Sequence, residues 1–322
     1  MVLSSISFRT ITAAGIFNYF KMYKLANTSS RSVVKAGTIF AALLLIGISF
    51  SKDLFAAGQA VPEDPVFESE SYVRHMPSAR QENGSGGITI VESGTEQTLE
   101  LKTFENLPVT LSINTQYVGM NEATDLHFPG YLTTAGVDIE TTVPLLEVDK
   151  TFLRLGVNPT FYSDTWDFSA DSLRIPLRSM LIYQPDDTLA LLSGVAFYSD
   201  FENKFYPILG FIYKPNDRLT LNITSEDPRI TYTLNSKTDL FVEGSAWLDE
   251  EFNTTRDRVK NAVLEYREIS YGGGVEHKFN EHLAVSFSVG GVTNRVIKYK
   301  NSPDVIKIAD GFYTELKFDI KM

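Results

Sequence analysis

The chain has 322 residues, with 29 Lys and Arg against 40 Asp and Glu, a formal net charge of -11 and no Cys. That composition excludes a disulfide scaffold, a thiolate metal site and a cysteine nucleophile, and it argues against a nucleic-acid binder, which needs a basic face. A mean hydropathy of -0.07 disfavours a bundle of membrane helices, each of which needs an apolar run of about 20 residues. A membrane β-barrel remains open, because its strands are only half apolar.

The first sixty residues read as a targeting segment. The apolar run Ala36 to Phe50 follows Arg31 and Lys35 and precedes the small-residue stretch Ala56-Ala57-Gly58-Gln59-Ala60. A basic region, a short apolar core and a small-x-small exit form a secretory signal peptide, with cleavage expected after Ala60. Met22 is an alternative start to Met1 and gives an ordinary signal length. With no Cys the chain is not a lipoprotein. Cleavage removes six basic residues and one acid, leaving 23 basic and 39 acidic residues and a net charge of -16. Residues 61–100 follow, rich in Ser, Gly, Glu and Arg (SESYVRHMPSARQENGSGG). They read as a flexible periplasmic segment, with a plug inserted into a barrel as the sharper alternative.

From residue 101 onward the period is two, the mark of half-buried strands. Twelve segments alternate: 107–119, 130–143, 151–163, 172–184, 188–199, 204–214, 219–225, 229–235, 239–249, 262–279, 283–299 and 310–321. In the first, Val109, Leu111, Ile113 and Tyr117 oppose Thr110, Ser112, Asn114 and Gln116. In the last, Phe312, Leu316, Phe318 and Ile320 oppose Tyr313, Glu315, Lys317 and Asp319. Most are long enough to cross a bilayer as tilted strands of about 9–11 residues. The apolar faces carry aromatics near segment ends, among them Tyr117, Phe161, Tyr183, Phe205, Tyr213, Phe279 and Phe312. Aromatic girdles at two lipid–water interfaces produce that placement.

Short polar turns join alternate pairs, as at Gln184-Pro185-Asp186-Asp187, Lys214-Pro215-Asn216-Asp217 and Asn280-Glu281-His282. They supply Pro, Asn and Asp where turn geometry needs them. The other connections are mostly longer: 120–129, 164–171, 200–203, 226–228, 250–261 and 300–309. An even number of strands, short turns on the side of both termini and longer loops opposite is the outer-membrane pattern. Ile182-Tyr183-Gln184-Pro185-Asp186-Asp187 returns thirty residues later as Ile212-Tyr213-Lys214-Pro215-Asn216-Asp217, which reads as convergent turn chemistry in successive hairpins. The fold expected is therefore all-β: a transmembrane antiparallel up-and-down β-barrel of about 12 strands over residues 101–322.

On the segments FIYKPNDRLTLNI and DPRITYTLNSKTDLFVEG and on the final strand, residues 107–322 resemble the porin-like outer-membrane barrels of a domain-of-unknown-function family. The resemblance brings no catalytic residues. The final strand is also similar to the assembly signal of outer-membrane proteins, with Met322 where that signal usually ends in Phe. It implies the outer-membrane assembly machinery, outer-membrane lipid and lipopolysaccharide as partners, and the cell outer membrane as location.

Catalysis finds little support in the residues. A lipid hydrolase needs a Ser nucleophile beside an oriented His, and His75, His127, His277 and His282 show no His-x-Ser pair on one strand face. His277 and His282 with Glu276 and Glu281 flank a turn and read as solvated surface residues, so no metal site and no cofactor are expected. The charges inside strands are more informative. Arg154, Arg174, Arg178 and Lys317, and Glu243, Glu276, Glu315 and Asp319, fall on the polar faces that would line a lumen. They read either as mutually paired fillers of a narrow bore or as an Arg cluster attracting anionic solutes, opposed by acids. The expectation is a non-enzymatic passive channel for small polar solutes. The alternative is a closed structural or adhesion barrel working through loops 250–261 and 300–309; a lipid hydrolase is the weak third reading.

Overall fold

The computed structural model describes residues 66–82, 86–102, 108–122, 129–145, 148–166, 168–199, 203–256, 259–300 and 305–322. The expected signal peptide lies outside them. Seventeen strands form one sheet: β1 (Val66–Arg80), β2 (Gly87–Lys102), β3 (Pro108–Glu122), β4 (Tyr131–Pro144), β5 (Thr151–Val157), β6 (Thr160–Ser163), β7 (Leu173–Arg174), β8 (Leu177–Asp186), β9 (Leu189–Phe197), β10 (Phe205–Asn216), β11 (Leu219–Thr224), β12 (Arg229–Asn235), β13 (Thr238–Arg256), β14 (Val259–Lys278), β15 (Leu283–Tyr299), β16 (Val305–Ile308) and β17 (Gly311–Lys321). Neighbours pair antiparallel, and β1 pairs with both β2 and β17, so the sheet closes on itself. The start of the first described strand meets the last residue of the chain at the seam, where Phe67 and Met322 exchange backbone hydrogen bonds of 2.9 and 2.8 Å.

The barrel has fourteen strands, not the twelve expected. The pairs β5 and β6, β7 and β8, and β16 and β17 each occupy one position in the wall. The first two are broken near Pro159 and Pro176, which cannot donate to a ladder. The twelve alternating segments all correspond to wall strands. The two additional strands are β1 and β2, which lie in the stretch expected to be flexible. Their outward positions explain the miss. On that face Ser69, Ser71, His75, Ser93, Thr95 and Gln97 interrupt Phe67, Val73, Val91 and Leu99, and the lumen face is polar, so neither face carries a sustained apolar period.

Register divides the faces. Exposed apolar side chains such as Ile113, Leu155, Leu191, Leu209, Phe287 and Leu316 point outward, while the residues between them point into the lumen. At the end of the barrel that carries both termini, the turns repeat one device. The Asp186 carboxylate accepts from the Thr188 hydroxyl and backbone amide at 2.6 and 2.8 Å and from the Leu189 amide. The side-chain carbonyls of Asn216, Asn235 and Asn280 accept in the same way from the amide two residues on. These donors hold the Asp186 carboxyl below its usual range. The thirty-residue echo is thus a repeated Asx turn.

The wall is uneven at the opposite, loop end. β13, β14 and β15 run 19, 20 and 17 residues, whereas β11 and β12 run only 6 and 7. The tall strands occupy most of the regions 250–261 and 300–309 expected as loops: β13 continues to Arg256, β14 begins at Val259, and β16 covers Val305–Ile308. Two bulges explain why alternation failed there. One lies between Trp247 and Glu250 on β13, the other near Asn294 on β15, whose φ is 53°. Each shifts which parity of residue faces inward. Beyond them the polarity of the faces also reverses. Phe252, Leu264, Tyr266, Ile297, Tyr299 and Ile306 point inward and, with Met76, Ile88, Ile90 and Leu132, form a buried apolar core inside the barrel. Glu251, Glu265, Lys298 and Lys300 point outward, with ion pairs Lys298–Glu265 of 2.5 Å and Lys300–Glu251 of 3.1 Å.

Below that core, Gly290 faces Gly272 across β14 and β15. A Cβ at Gly290 would lie 2.2 Å from the Tyr271 carbonyl oxygen and 2.5 Å from the Tyr313 ring. The backbone side of that contact cannot yield, so Gly290→Val is expected to abolish refolding into detergent. Loss of the heat-modifiable band on cold gel electrophoresis would register this, and Gly244→Ala, with nothing nearer than 3.4 Å, serves as the tolerant control.

Candidate functional site: a charged lumen closed at one end

The lumen's charges are organised around three cations. Arg74 on β1 is the first. Its guanidinium meets Glu315 at 2.7 Å and Glu92 and Glu268 at 3.7 Å each, and it stacks 4.6 Å from the Tyr313 ring centroid. The Tyr266 hydroxyl donates to Glu268. Glu92 and Glu268 are each 1% exposed, and neither Glu92 oxygen has a hydrogen-bond partner among the described residues. Three carboxyl groups gather around one guanidinium, and Arg295, itself 1% exposed, acts electrostatically on Glu268 as well; a buried charge is stable only when paired.

Arg229 on β12 is the second. It joins Glu276 at 3.1 Å and Glu243 at 3.5 Å and lies 3.9 Å from the Phe241 ring centroid. Lys317 on β17 is the third, pairing with Glu70 on β1 at 2.8 Å. Asp319 faces Glu70 in the ladder. Glu243, Glu276, Glu315, Lys317 and Asp319, singled out by alternation, therefore all sit on the lumen face, but their partners Arg74, Glu70 and Arg229 were not singled out. Arg74 and Glu70 belong to the strand without an apolar period. Arg229 opens a strand that was recognised, and its charge inside a polar face could have flagged it.

The remaining arginines do not form a free cationic cluster. Arg178 lies 4.0 Å from Glu140 and 3.9 Å from Glu226. The Arg154 Nε donates to the Thr142 hydroxyl at 3.2 Å, and Arg174 donates to the Asp171 and Leu173 carbonyl oxygens. Glu140 and Asp138 share their stretch of wall, so of the two readings the arrangement is the interleaved set of both signs rather than an anion-attracting cluster.

Two spaces open between these groups. At the termini end, a mouth of about 440 Å³ is lined by Glu68, Glu70, Glu96, Glu281 and Asp319 against Lys278 and Lys321. Deeper, about 220 Å³ lies among Tyr72, Glu96, Gln116, Thr160, Tyr162 and Glu250. Tyr72 accepts from the Gln116 amide at 2.9 Å. Above this second space the lumen meets the apolar core, where the Tyr162 and Phe252 rings contact edge to face with centroids 5.6 Å apart. The chemistry available is that of an acid-rich, aromatic-lined chamber. Among the described residues no group of three or more His, Asp or Glu is arranged to hold a metal ion. His277 contacts the Thr238 hydroxyl at 3.2 Å, and His282 contacts the Lys321 carbonyl oxygen at 2.9 Å and Glu281 at 3.5 Å, all at the surface. His75 lies on β1 on the face opposite Arg74, and His127 lies outside the described residues.

Among solved structures, the chain is similar to a FadL homologue from Pseudomonas aeruginosa, with a TM-score of 0.48 at 9% identity over 80% of this chain and 90% of the other. It is similar to an outer membrane channel from Pseudomonas putida F1, with a TM-score of 0.42 at 10% identity over 82% and 97%. The translocator domain of the autotransporter NalP from Neisseria meningitidis gives a TM-score of 0.34 at 11% identity over 89% and 97%. No curated protein matches the sequence. A family model, by contrast, matches residues 69–304, from β1 to the edge of β16, and the chain belongs to that family, described as Domain of unknown function (DUF6268).

Proposed function

We propose that this barrel spans the bacterial outer membrane, with its termini end in the periplasm and its loop end outside, as a gated, cation-preferring channel for small polar solutes. The outward face supports the membrane placement. Exposed Tyr183, Tyr213, Tyr232 and Phe279 band the termini end, and Phe205, Tyr271 and Phe312 band the loop end, with aliphatic residues between them. The observation that carries the function is the lumen itself: a polar bore whose carboxylates outnumber its cations, from the mouth at Glu68, Glu70 and Asp319 up to the Arg74 cluster. Acid rings favour cation entry. No catalytic step is assigned to any residue.

The test is conductance in planar bilayers with a salt gradient. The reversal potential is expected to report cation preference. Glu243→Gln with Glu276→Gln, which leaves Arg229 without its two carboxylates, is expected to reduce the cation-to-anion permeability ratio several-fold. An anion-selective wild-type channel overturns the reading. The apolar core across the outer end favours one rival, a permanently closed structural barrel. Absence of conductance steps from folded protein, both wild type and with the core truncated, would decide for that rival.

A further inference from the structure

The uneven wall has a second consequence. β12 begins at Arg229, paired with Glu243, and the Gly244 amide donates to the Pro228 carbonyl oxygen at 2.9 Å. Above that point, among the described residues, no strand pairs with this edge of β13 until Asn253, where β13 meets β6 across the barrel opposite Ser163. The Asp164 amide donates to the Asn253 carbonyl oxygen at 3.3 Å in the same seam. Gly244 to Asn253 is roughly 30 Å of strand. The short wall of β7 to β12 thus stops beneath an arch formed by β6 and β13.

The step sits at the outer interface. Gly244 is level in the ladder with Tyr271 and, through it, with Gly291 and Phe312, the outer aromatic band. The outward rim of the short wall carries some of the most exposed aromatics in the chain: Phe205 at 68%, Phe168 at 56% and Trp166 at 42%. Phe205 packs on Phe197 and Phe168 on Phe161, with centroids 5.0 and 5.2 Å apart. On the lumen side of the same rim stand Tyr198 and Tyr206, edge to face at 5.3 Å, and Tyr162 beneath the arch. Tyr198 packs against the apolar core and so stands between the step and the chamber. Arg178 and its partners Glu140 and Glu226 lie at the foot of the step.

We propose that the step is a lateral entrance through which an amphiphile dissolved in the outer leaflet passes into the lumen, with an apolar or aromatic body and a cationic ammonium head. The exposed aromatic rim suits a molecule held at the lipid interface, and rings of the Tyr198 and Tyr206 type receive both an apolar body and, on their faces, a cation. The preference for a positive head rests on the acid-rich lumen described above. A ligand taking this route does not need the apolar core to open.

The full mature chain in lipid vesicles provides the test. A long-chain alkylamine carrying a photoreactive diazirine is dissolved in the membrane, and crosslinked residues are mapped by mass spectrometry. Labelling is expected at Tyr198, Tyr206 and Tyr162 as well as at outward residues such as Leu209. Tyr198→Ala is expected to raise the yield at Tyr206 and Tyr162 several-fold, and the wild-type map stands without it. Label confined to outward residues overturns the entrance. So does equal labelling of the three tyrosines by a short, water-soluble diazirine amine, which would place entry from water. Equal labelling by the matched long-chain sulfonate overturns the cationic class. Conductance with no lumen label removes the lateral route alone and leaves the channel reading intact.

Discussion

Arg74→Gln is expected to destabilise the folded barrel by about 3–5 kcal/mol, the usual loss when one partner of a buried ion pair is removed. The reason is local. Arg74 is the cation within 4 Å of Glu315, Glu92 and Glu268, and two of those carboxylates are almost fully withdrawn from solvent. The remaining charges would face one another inside a wall that admits little water. Urea unfolding in phospholipid vesicles, followed by the fluorescence of the two Trp residues, measures the loss. Adding Glu268→Gln removes one of the repelling charges and is expected to recover part of the stability. Arg74→Lys keeps the charge but loses the planar fork that spans three acceptors, so an intermediate loss is expected. A wild-type midpoint for Arg74→Gln would show that the cluster is already neutralised in the folded protein, and the charge argument would fail.

Phe252→Ala combined with Tyr162→Ala is expected to turn a mostly silent barrel into one that opens often. Phe252 is fully buried and Tyr162 nearly so, and their rings meet across the lumen. Truncating a buried aromatic costs about 3–5 kcal/mol through lost contact and cavity formation. If opening separates these rings, that loss falls on the closed state alone. About 3 kcal/mol then raises the open probability roughly a hundredfold, since every 1.4 kcal/mol is a factor of ten. Single-channel recording reads this directly. The rigidity of the surrounding ladder matters, because β13 and β6 touch at one residue pair while β13 and β14 pair along almost their whole length. The β6 side is therefore the one expected to move. Unchanged event frequency from folded double-variant protein would mean that the core is a fixed partition.

Residue alternation disclosed every strand whose outward face is apolar, and its failures have physical causes. It located the ladder from Val109 to Ile320 because an outward apolar side chain recurs at every second position over most of it. β1 and β2 escaped because serine, threonine, histidine and glutamine interrupt the apolar residues Phe67, Val73, Val91 and Leu99 at their outward positions. The end of β13 after residue 249, the first three residues of β14 and the whole of β16 escaped because the bulges before Glu250 and at Asn294 change the parity, and because charge moves outward and apolar residues inward past the aromatic band. The site was half legible for the same reason. Glu315 and Lys317 are visible as charges inside an apolar period, but their partners Arg74 and Glu70 sit on a strand with no such period. The distances that pair them join residues more than 240 positions apart, which no local pattern encodes.

The junction of β1 with β17 sets the order in which this cylinder can be completed. Residue 68 must find residue 321, so no amino-terminal portion of the polypeptide can seal itself. Until the last strand arrives, both rims of the growing sheet present unsatisfied amide and carbonyl groups, which hydrocarbon does not tolerate. The edges are satisfied together only when β1 and β17 zip up, so closure of the cylinder is a single late event rather than a gradual one.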